Sequence, residues 1–136
     1  MKKYDNFLKS LKNLIEGAEV QPPYKPIEQA GILGLFEICF ELTWKLLKEL
    51  LELHGRVPNT FASPRTVFKI AYQHGMIADE KVWLDILATR NLLTHTYNEE
   101  EANMAIERIK NRYILAFVQL KEEIEQHWLI EDTKSL

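Results

Sequence analysis

The chain has 136 residues, a hydrophobic content of 46% and a formal net charge of −3 at pH 7. This length predicts one domain with its own apolar core, and the acidic balance excludes a broad basic surface, so we expect no DNA partner and only local contacts with RNA. A single cysteine excludes an intrachain disulfide and a cysteine-based zinc site, and the lack of about 18 consecutive uncharged apolar residues predicts no membrane span and a cytoplasmic protein.

The first segment has the period of an amphipathic helix. Apolar residues recur at helical spacing from Tyr4 to Ala18, and Gly17 weakens the helix near its end. Residues 19–26 contain three prolines, which cannot continue a helix. We expect them to form an extended, proline-rich connector.

The second helix is predicted from about Ile27 to His54, with Gly55 as its stop. It carries two apolar stripes, and two adjacent stripes suggest burial on two sides, one of which another subunit could cover. The first stripe is Ile32, Leu35, Cys39, Leu42, Leu46, Leu50 and Leu53, and the second is Leu33, Phe36, Phe40, Trp44, Leu47 and Leu51. Gly31 and Gly34 either let another backbone approach closely or mark a later helix start.

Two shorter helices follow. Ser63 is a cap before a proline, and His74-Gly75 closes this third helix. Asp79 is predicted to cap the next helix, whose apolar seam is Trp83, Ile86 and Leu87. Arg90 falls on that same seam. A cation on an apolar face is costly unless a partner pairs with it, so we expect Arg90 to have one.

The last helix begins at a capping box in which Asn98 is the cap and Glu101 lies three residues later. Its apolar residues are Ala102, Ala105, Ile109, Tyr113, Phe117, Leu120, Ile124 and Trp128. We expect residues 129–136 to be a frayed C-terminal tail. The pattern predicts a single all-α domain over residues 1–136, an up-and-down helical bundle with a four-helix core and about five helices.

The octapeptide that runs from Arg90 to Tyr97 concentrates the chemistry of the chain. It brings a permanent cation, an imidazole and a phenol together at the end of an apolar helix. Residues five apart on a straight helix differ by about 140° in direction, so Arg90 and His95 would not meet on one continuous helix. Either the helix ends between Leu93 and Asn98 and swings His95 and Tyr97 back, or two copies of the motif face each other across a twofold axis.

Such a pocket could cleave RNA without a metal or another cofactor. His95 can take the proton from a 2′-hydroxyl or protonate the leaving oxygen, and a symmetry mate can supply the other role. Arg90 can hold the phosphate through two parallel hydrogen bonds, and Asn91 and Thr94 could add donors. The four histidines are scattered along the chain and no paired carboxylates stand out, so we predict no metal site.

A purely structural alternative explains the same residues. His95 then only ends a helix, where a cation is favoured. In that case Arg90 pairs with a glutamate of 99–101, and Tyr97 packs at the end of the bundle.

Three blocks of the sequence resemble the nucleotidyltransferase substrate-binding protein family, within the HEPN superfamily of helical bundles. They are Phe36 to Lys45 on the second helix, Ser63-Pro64-Arg65, and Trp83 to Glu100, and the match spans roughly Leu8 to Leu120. The resemblance implies a small helical bundle, a homodimer, and a separately encoded minimal nucleotidyltransferase as binding partner.

A HepT-like toxin branch of that family has the motif Arg, four residues, His, any residue, Tyr, which Arg90, His95 and Tyr97 match. The resemblance implies that Arg90 and His95 are ribonuclease residues and that the partner blocks the toxin by adding AMP to Tyr97. The other expectation is a non-catalytic adaptor that holds a substrate for the nucleotidyltransferase. In both cases the chain is not itself a nucleotidyltransferase.

Overall fold

The computed structural model describes residues 1–56, 63–95 and 98–129, and these residues form helices and their connections without a strand. The helices are α1 (Lys2–Gly17), α2 (Pro26–Leu53), α3 (Pro64–Gln73), α4 (Glu80–His95), α5 (Glu99–Arg108) and α6 (Ile114–His127). A π-helical turn, Ile109–Tyr113, joins α5 to α6. The predicted all-α bundle is confirmed, but the single final helix is interrupted by this turn. Among the described residues, no helix is both long and apolar enough to cross a membrane.

The predicted helix caps are confirmed by their hydrogen bonds. The side chains of Ser63, Asp79 and Asn98 each accept a bond from a backbone N–H in the first turn of α3, α4 and α5, at donor–acceptor distances between 2.7 and 3.3 Å. Gly75 follows α3 with a φ of +77°, a left-handed conformation in which glycine is favoured. The starts of α3, α4 and α5 are therefore set by local side-chain chemistry.

The centre of the bundle is α2, which packs against α1, α3 and α5. Both of its apolar stripes are buried or half-buried within this one chain, except for the terminal Leu53. Burial of the second stripe therefore does not require another subunit, because neighbouring helices of the same chain cover both stripes. The large apolar residues that α2 leaves exposed are Ile27, Ile38 and Leu53.

Neither explanation for the early glycines of α2 is correct. The helix begins at Pro26, so Gly31 and Gly34 do not mark a later start. No heavy atom of the described neighbours lies within 4 Å of a Cβ built at either position, so no backbone approaches closely. Both glycines border open space.

The connector between α1 and α2 occupies residues 18–25 and is fastened to the π-helical turn. Nζ of Lys110 donates to the carbonyl oxygen of Val20 and to the hydroxyl of Tyr24, each at 2.6 Å. The predicted tail, 129–136, lies outside the described residues except for Leu129.

Candidate functional site

Arg90 and His95 both lie on α4, which remains helical through His95. Five helical residues correspond to a rise of about 7.5 Å and a rotation of about 140°, so the two side chains leave the helix in different directions. The predicted helix end between Leu93 and Asn98 is confirmed, because α4 ends at His95, but this end does not swing His95 back toward Arg90. Tyr97 and Thr96 lie outside the described residues.

Arg90 is half-buried and bound to α2. Its Nη2 donates to Oε1 of Glu41 at 2.5 Å, and its guanidinium carbon lies 5.1 Å from the centre of the Phe40 ring. The expected partner of this cation exists, but it is Glu41 and not a glutamate of 99–101. Since Arg90 projects from the seam of α4 that faces α2, a carboxylate on α2 is the one within reach.

Glu41 is itself held by two neighbours on its own helix. Its Oε2 accepts a hydrogen bond from the indole nitrogen of Trp44 at 3.2 Å and lies 3.7 Å from Nζ of Lys45. The contact with Lys45 has the four-residue spacing of a helical ion pair. A buried Arg90 needs a counterion, and this need was the sequence signal that could have led to Glu41. The signal does not identify which carboxylate is the counterion.

The remaining residues of the octapeptide differ in their relation to Arg90. Oδ1 of Asn91 accepts a hydrogen bond from Nη1 of Arg90 at 3.2 Å, so Asn91 contacts the cation directly. The hydroxyl of Thr94 donates to the backbone carbonyl of Asn91 at 2.8 Å and is thus turned toward its own helix. His95 is exposed at the C-terminal end of α4.

An open cavity of about 230 Å³ lies between α2 and α4 beside Arg90. It is lined by Ala30, Leu33, Gly34, Phe36, Glu37, Arg90 and Leu93. The absent side chain of Gly34 helps to keep this space open. Arg90 gives the cavity a cation, and Glu37 gives it a carboxylate, so a ligand here would meet both charges.

Tyr113 holds α4 in its orientation about the helix axis through contacts with Asp85 and with Thr89, the residue before Arg90. The hydroxyl of Tyr113, which is fully buried, donates to Oδ2 of Asp85 at 2.6 Å and lies 2.7 Å from the hydroxyl of Thr89. Burial, together with the hydrogen bond to Asp85, raises the pKa of Tyr113 to about 12. Tyr113 also stacks on Phe36 with ring centroids 5.9 Å apart. Because Tyr113 ends the π-helical turn, that turn sets where α4 presents Arg90.

Within the described residues, no three His, Cys, Asp or Glu side chains are grouped so that they could hold a metal ion. Cys39 is fully buried, as predicted for a core residue, and burial raises its thiol pKa to about 11.

The chain is similar to a known protein family, to a curated protein and to a solved structure. A family model described as "Nucleotidyltransferase substrate binding protein like" matches residues 1–126, from α1 into the last turn of α6. A curated protein of Haemophilus influenzae named probable ribonuclease HepT is 26% identical over 99 residues, which cover 71% of this chain and 67% of that protein. A crystal structure of a protein from Thermus thermophilus is similar with a TM-score of 0.73 and 28% identity, over 91% of this chain and 99% of that one.

Proposed function

The chain belongs to the nucleotidyltransferase substrate binding protein-like family, and from that premise we propose that it is an endoribonuclease toxin whose partner is a separately encoded nucleotidyltransferase. The observation that carries this proposal is the placement of Arg90 beside an open cavity, with His95 exposed farther along the same helix. The similarity to a probable ribonuclease supports the same activity.

The reaction assigned to the site is cleavage by the RNA's own 2′-hydroxyl. One imidazole takes the 2′-hydroxyl proton, the 2′-oxygen bonds to phosphorus, and the bond from phosphorus to the 5′-oxygen breaks. A second imidazole protonates the departing 5′-oxygen. Arg90 stabilises the charge that develops on the phosphate, which no metal needs to do here. The products are a 2′,3′-cyclic phosphate and a free 5′-hydroxyl.

This chemistry needs two protomers. Arg90 and His95 of one chain diverge by about 140°, so they do not converge on the same phosphate. In a twofold homodimer with α4 near the axis, each Arg90 lies near both imidazoles, and the two histidines divide the roles of acid and base. The exposed Ile27 and Ile38 on α2, with exposed fractions of 80% and 54%, leave apolar surface that is available for a subunit contact.

Regulation is assigned to Tyr97, two residues after the end of α4 in the sequence. In the proposed reaction its hydroxyl oxygen attacks the α-phosphorus of ATP held by the nucleotidyltransferase, and pyrophosphate leaves. The attached AMP would add a negative charge to the octapeptide and oppose the approach of RNA.

The test of the proposal is cleavage of RNA by the purified protein in the presence of a chelator. We expect the wild type to cut, and Arg90→Ala and His95→Ala each to abolish cutting. The matched controls are Arg65→Ala and His74→Ala, which remove exposed side chains of the same types on α3 and at its end. Cutting that survives in His95→Ala removes His95 from the mechanism, and a wild type that cuts no RNA refutes the activity.

A non-catalytic substrate-binding adaptor is the second candidate. The observation that favours it is the cavity's acidic wall at Glu37, together with the engagement of Arg90 by Glu41, which suits a polar, partly cationic small molecule better than a polyanion. An adaptor forms a stable complex with the nucleotidyltransferase and cuts no RNA. Co-expression followed by mass measurement of Tyr97 peptides separates the candidates, because only the toxin is expected to carry AMP.

A further inference from the structure

We propose that Glu41 is the positioning residue of Arg90, holding its guanidinium in place for the RNA phosphate while weakening the binding of that phosphate by its own charge. This inference rests on the proposed ribonuclease function and adds a residue that is 49 positions away from the motif. It assigns to one carboxylate two opposite effects, one on turnover and one on affinity.

Two contacts within α2 hold the carboxylate of Glu41 independently of Arg90. The indole of Trp44 and the ammonium group of Lys45 both approach Oε2, at 3.2 and 3.7 Å, which leaves Oε1 to face α4. These partners lie three and four residues along α2, the spacing at which side chains share one face of a helix. Because Oε2 is held, Oε1 has a defined position, and Glu41 is a fixed counterion for Arg90 and not a mobile one.

Three contacts then define the place of the guanidinium. Glu41 accepts a hydrogen bond from Nη2, and Asn91 accepts one from Nη1. The centre of the Phe40 ring lies 5.1 Å from the guanidinium carbon. The Nε of Arg90 is buried and has no hydrogen-bond partner among the residues that the structure describes. Since arginine carries five N–H groups, these bonds leave one on each terminal nitrogen for a bound phosphate.

Two consequences follow for catalysis. Loss of Glu41 releases the guanidinium, and misplacement of a catalytic group by about 1 Å costs on the order of a hundredfold in rate. Loss of its charge also removes a repulsion of the phosphate, and one unit charge at about 4 Å in water corresponds to roughly a fivefold change in affinity. A residue that only supports folding would not move turnover and affinity in opposite senses.

The test compares Glu41→Gln with the wild type in steady-state RNA cleavage. Glutamine replaces the charge-assisted hydrogen bond to Arg90 by a weaker neutral one and removes the carboxylate charge. The guanidinium is then held less firmly, so kcat should fall by on the order of tenfold to a hundredfold while KM falls about fivefold. Trp44→Phe is the second variant: it frees Oε2 of Glu41 but leaves its charge, so kcat should fall and KM should not. The control is Glu52→Gln, about 16 Å farther along α2 and paired with Lys48, which should change neither value.

The outcomes separate this inference from the ribonuclease proposal. If Glu41→Gln leaves kcat and KM unchanged, or if kcat falls only in proportion to a lost folded fraction, the positioning role is refuted. Should Glu41→Gln fail to fold, the expected fall of kcat in Trp44→Phe decides the matter alone.

If the wild type cuts no RNA, the ribonuclease proposal is refuted. The role of Glu41 is then tested by measuring the affinity for a 2′-O-methyl RNA oligonucleotide, which lacks the attacking hydroxyl. An affinity about fivefold tighter in Glu41→Gln supports it. An equal affinity, or no binding by either protein, overturns it.

Discussion

Replacing Tyr113 by phenylalanine tests how α4 is held in the orientation that presents Arg90. The change removes one hydroxyl that donates to Asp85 and contacts Thr89, and it leaves the ring and its stack on Phe36 in place. A hydrogen bond to a charged group is worth about 1.5–3 kcal/mol, and we take the lower part of that range because the Asp85 side chain is 40% exposed. Thr89 is 4% exposed and loses a partner, so we expect a total destabilisation of about 2 kcal/mol.

This free energy converts into a measurable shift of the melting temperature. At about 2.1 cal/mol/K per residue, the 136-residue chain has an unfolding entropy near 0.3 kcal/mol/K, so 2 kcal/mol lowers Tm by about 7 °C. The assay is thermal unfolding followed by circular dichroism at one fixed protein concentration, because subunit association would make Tm depend on concentration. Tyr72→Phe is the matched control, since Tyr72 is 47% exposed and its hydroxyl makes no hydrogen bond with another described residue.

For Tyr72→Phe we expect a shift of Tm below about 2 °C, and a Tyr113→Phe shift no larger than that would show that the buried hydroxyl does not stabilise α4. The pH dependence gives an independent check. Because the folded-state pKa of Tyr113 is raised to about 12, its contribution to stability is full below the ordinary tyrosine pKa near 10 and is lost as the pH rises through about 12. The stability gap between wild type and Tyr113→Phe should therefore narrow between about pH 10 and pH 12, and a constant gap would contradict the assigned cause.

Two further predictions concern the core and a helix end. Cys39 should resist alkylation by iodoacetamide at pH 8 in the native protein and react once the chain is denatured, because it is fully buried and its pKa is raised to about 11; equal labelling of both states by mass spectrometry would disprove its burial. Gly75→Ala should lower the free energy of unfolding by about 1–2 kcal/mol because of its φ of +77°, whereas Gly75→Asn should cost less, since asparagine tolerates this conformation better. Equal losses in thermal unfolding would reject the backbone explanation.

Local sequence chemistry was enough to locate most helix ends. Ser63, Asp79 and Asn98 act as the caps that their positions predicted, because capping involves only the cap and the next three residues. The family resemblance was also carried by contiguous blocks, and the match over residues 1–126 confirms it. The π-helical turn at Ile109–Tyr113 gave no such local signal, since the apolar positions on both sides of it keep an ordinary helical spacing.

The amino-acid pattern alone was therefore enough to predict the all-α class, most helix ends and the need for a counterion at Arg90. Folding of the whole chain was needed to select Glu41 as that counterion, to anchor α4 through Tyr113, and to cover both apolar stripes of α2 with helices of the same chain. The physical reason is the range of the interactions. Periodicity and capping act within about four residues, whereas a contact between Arg90 and Glu41 depends on how two helices rotate against each other when the whole core packs.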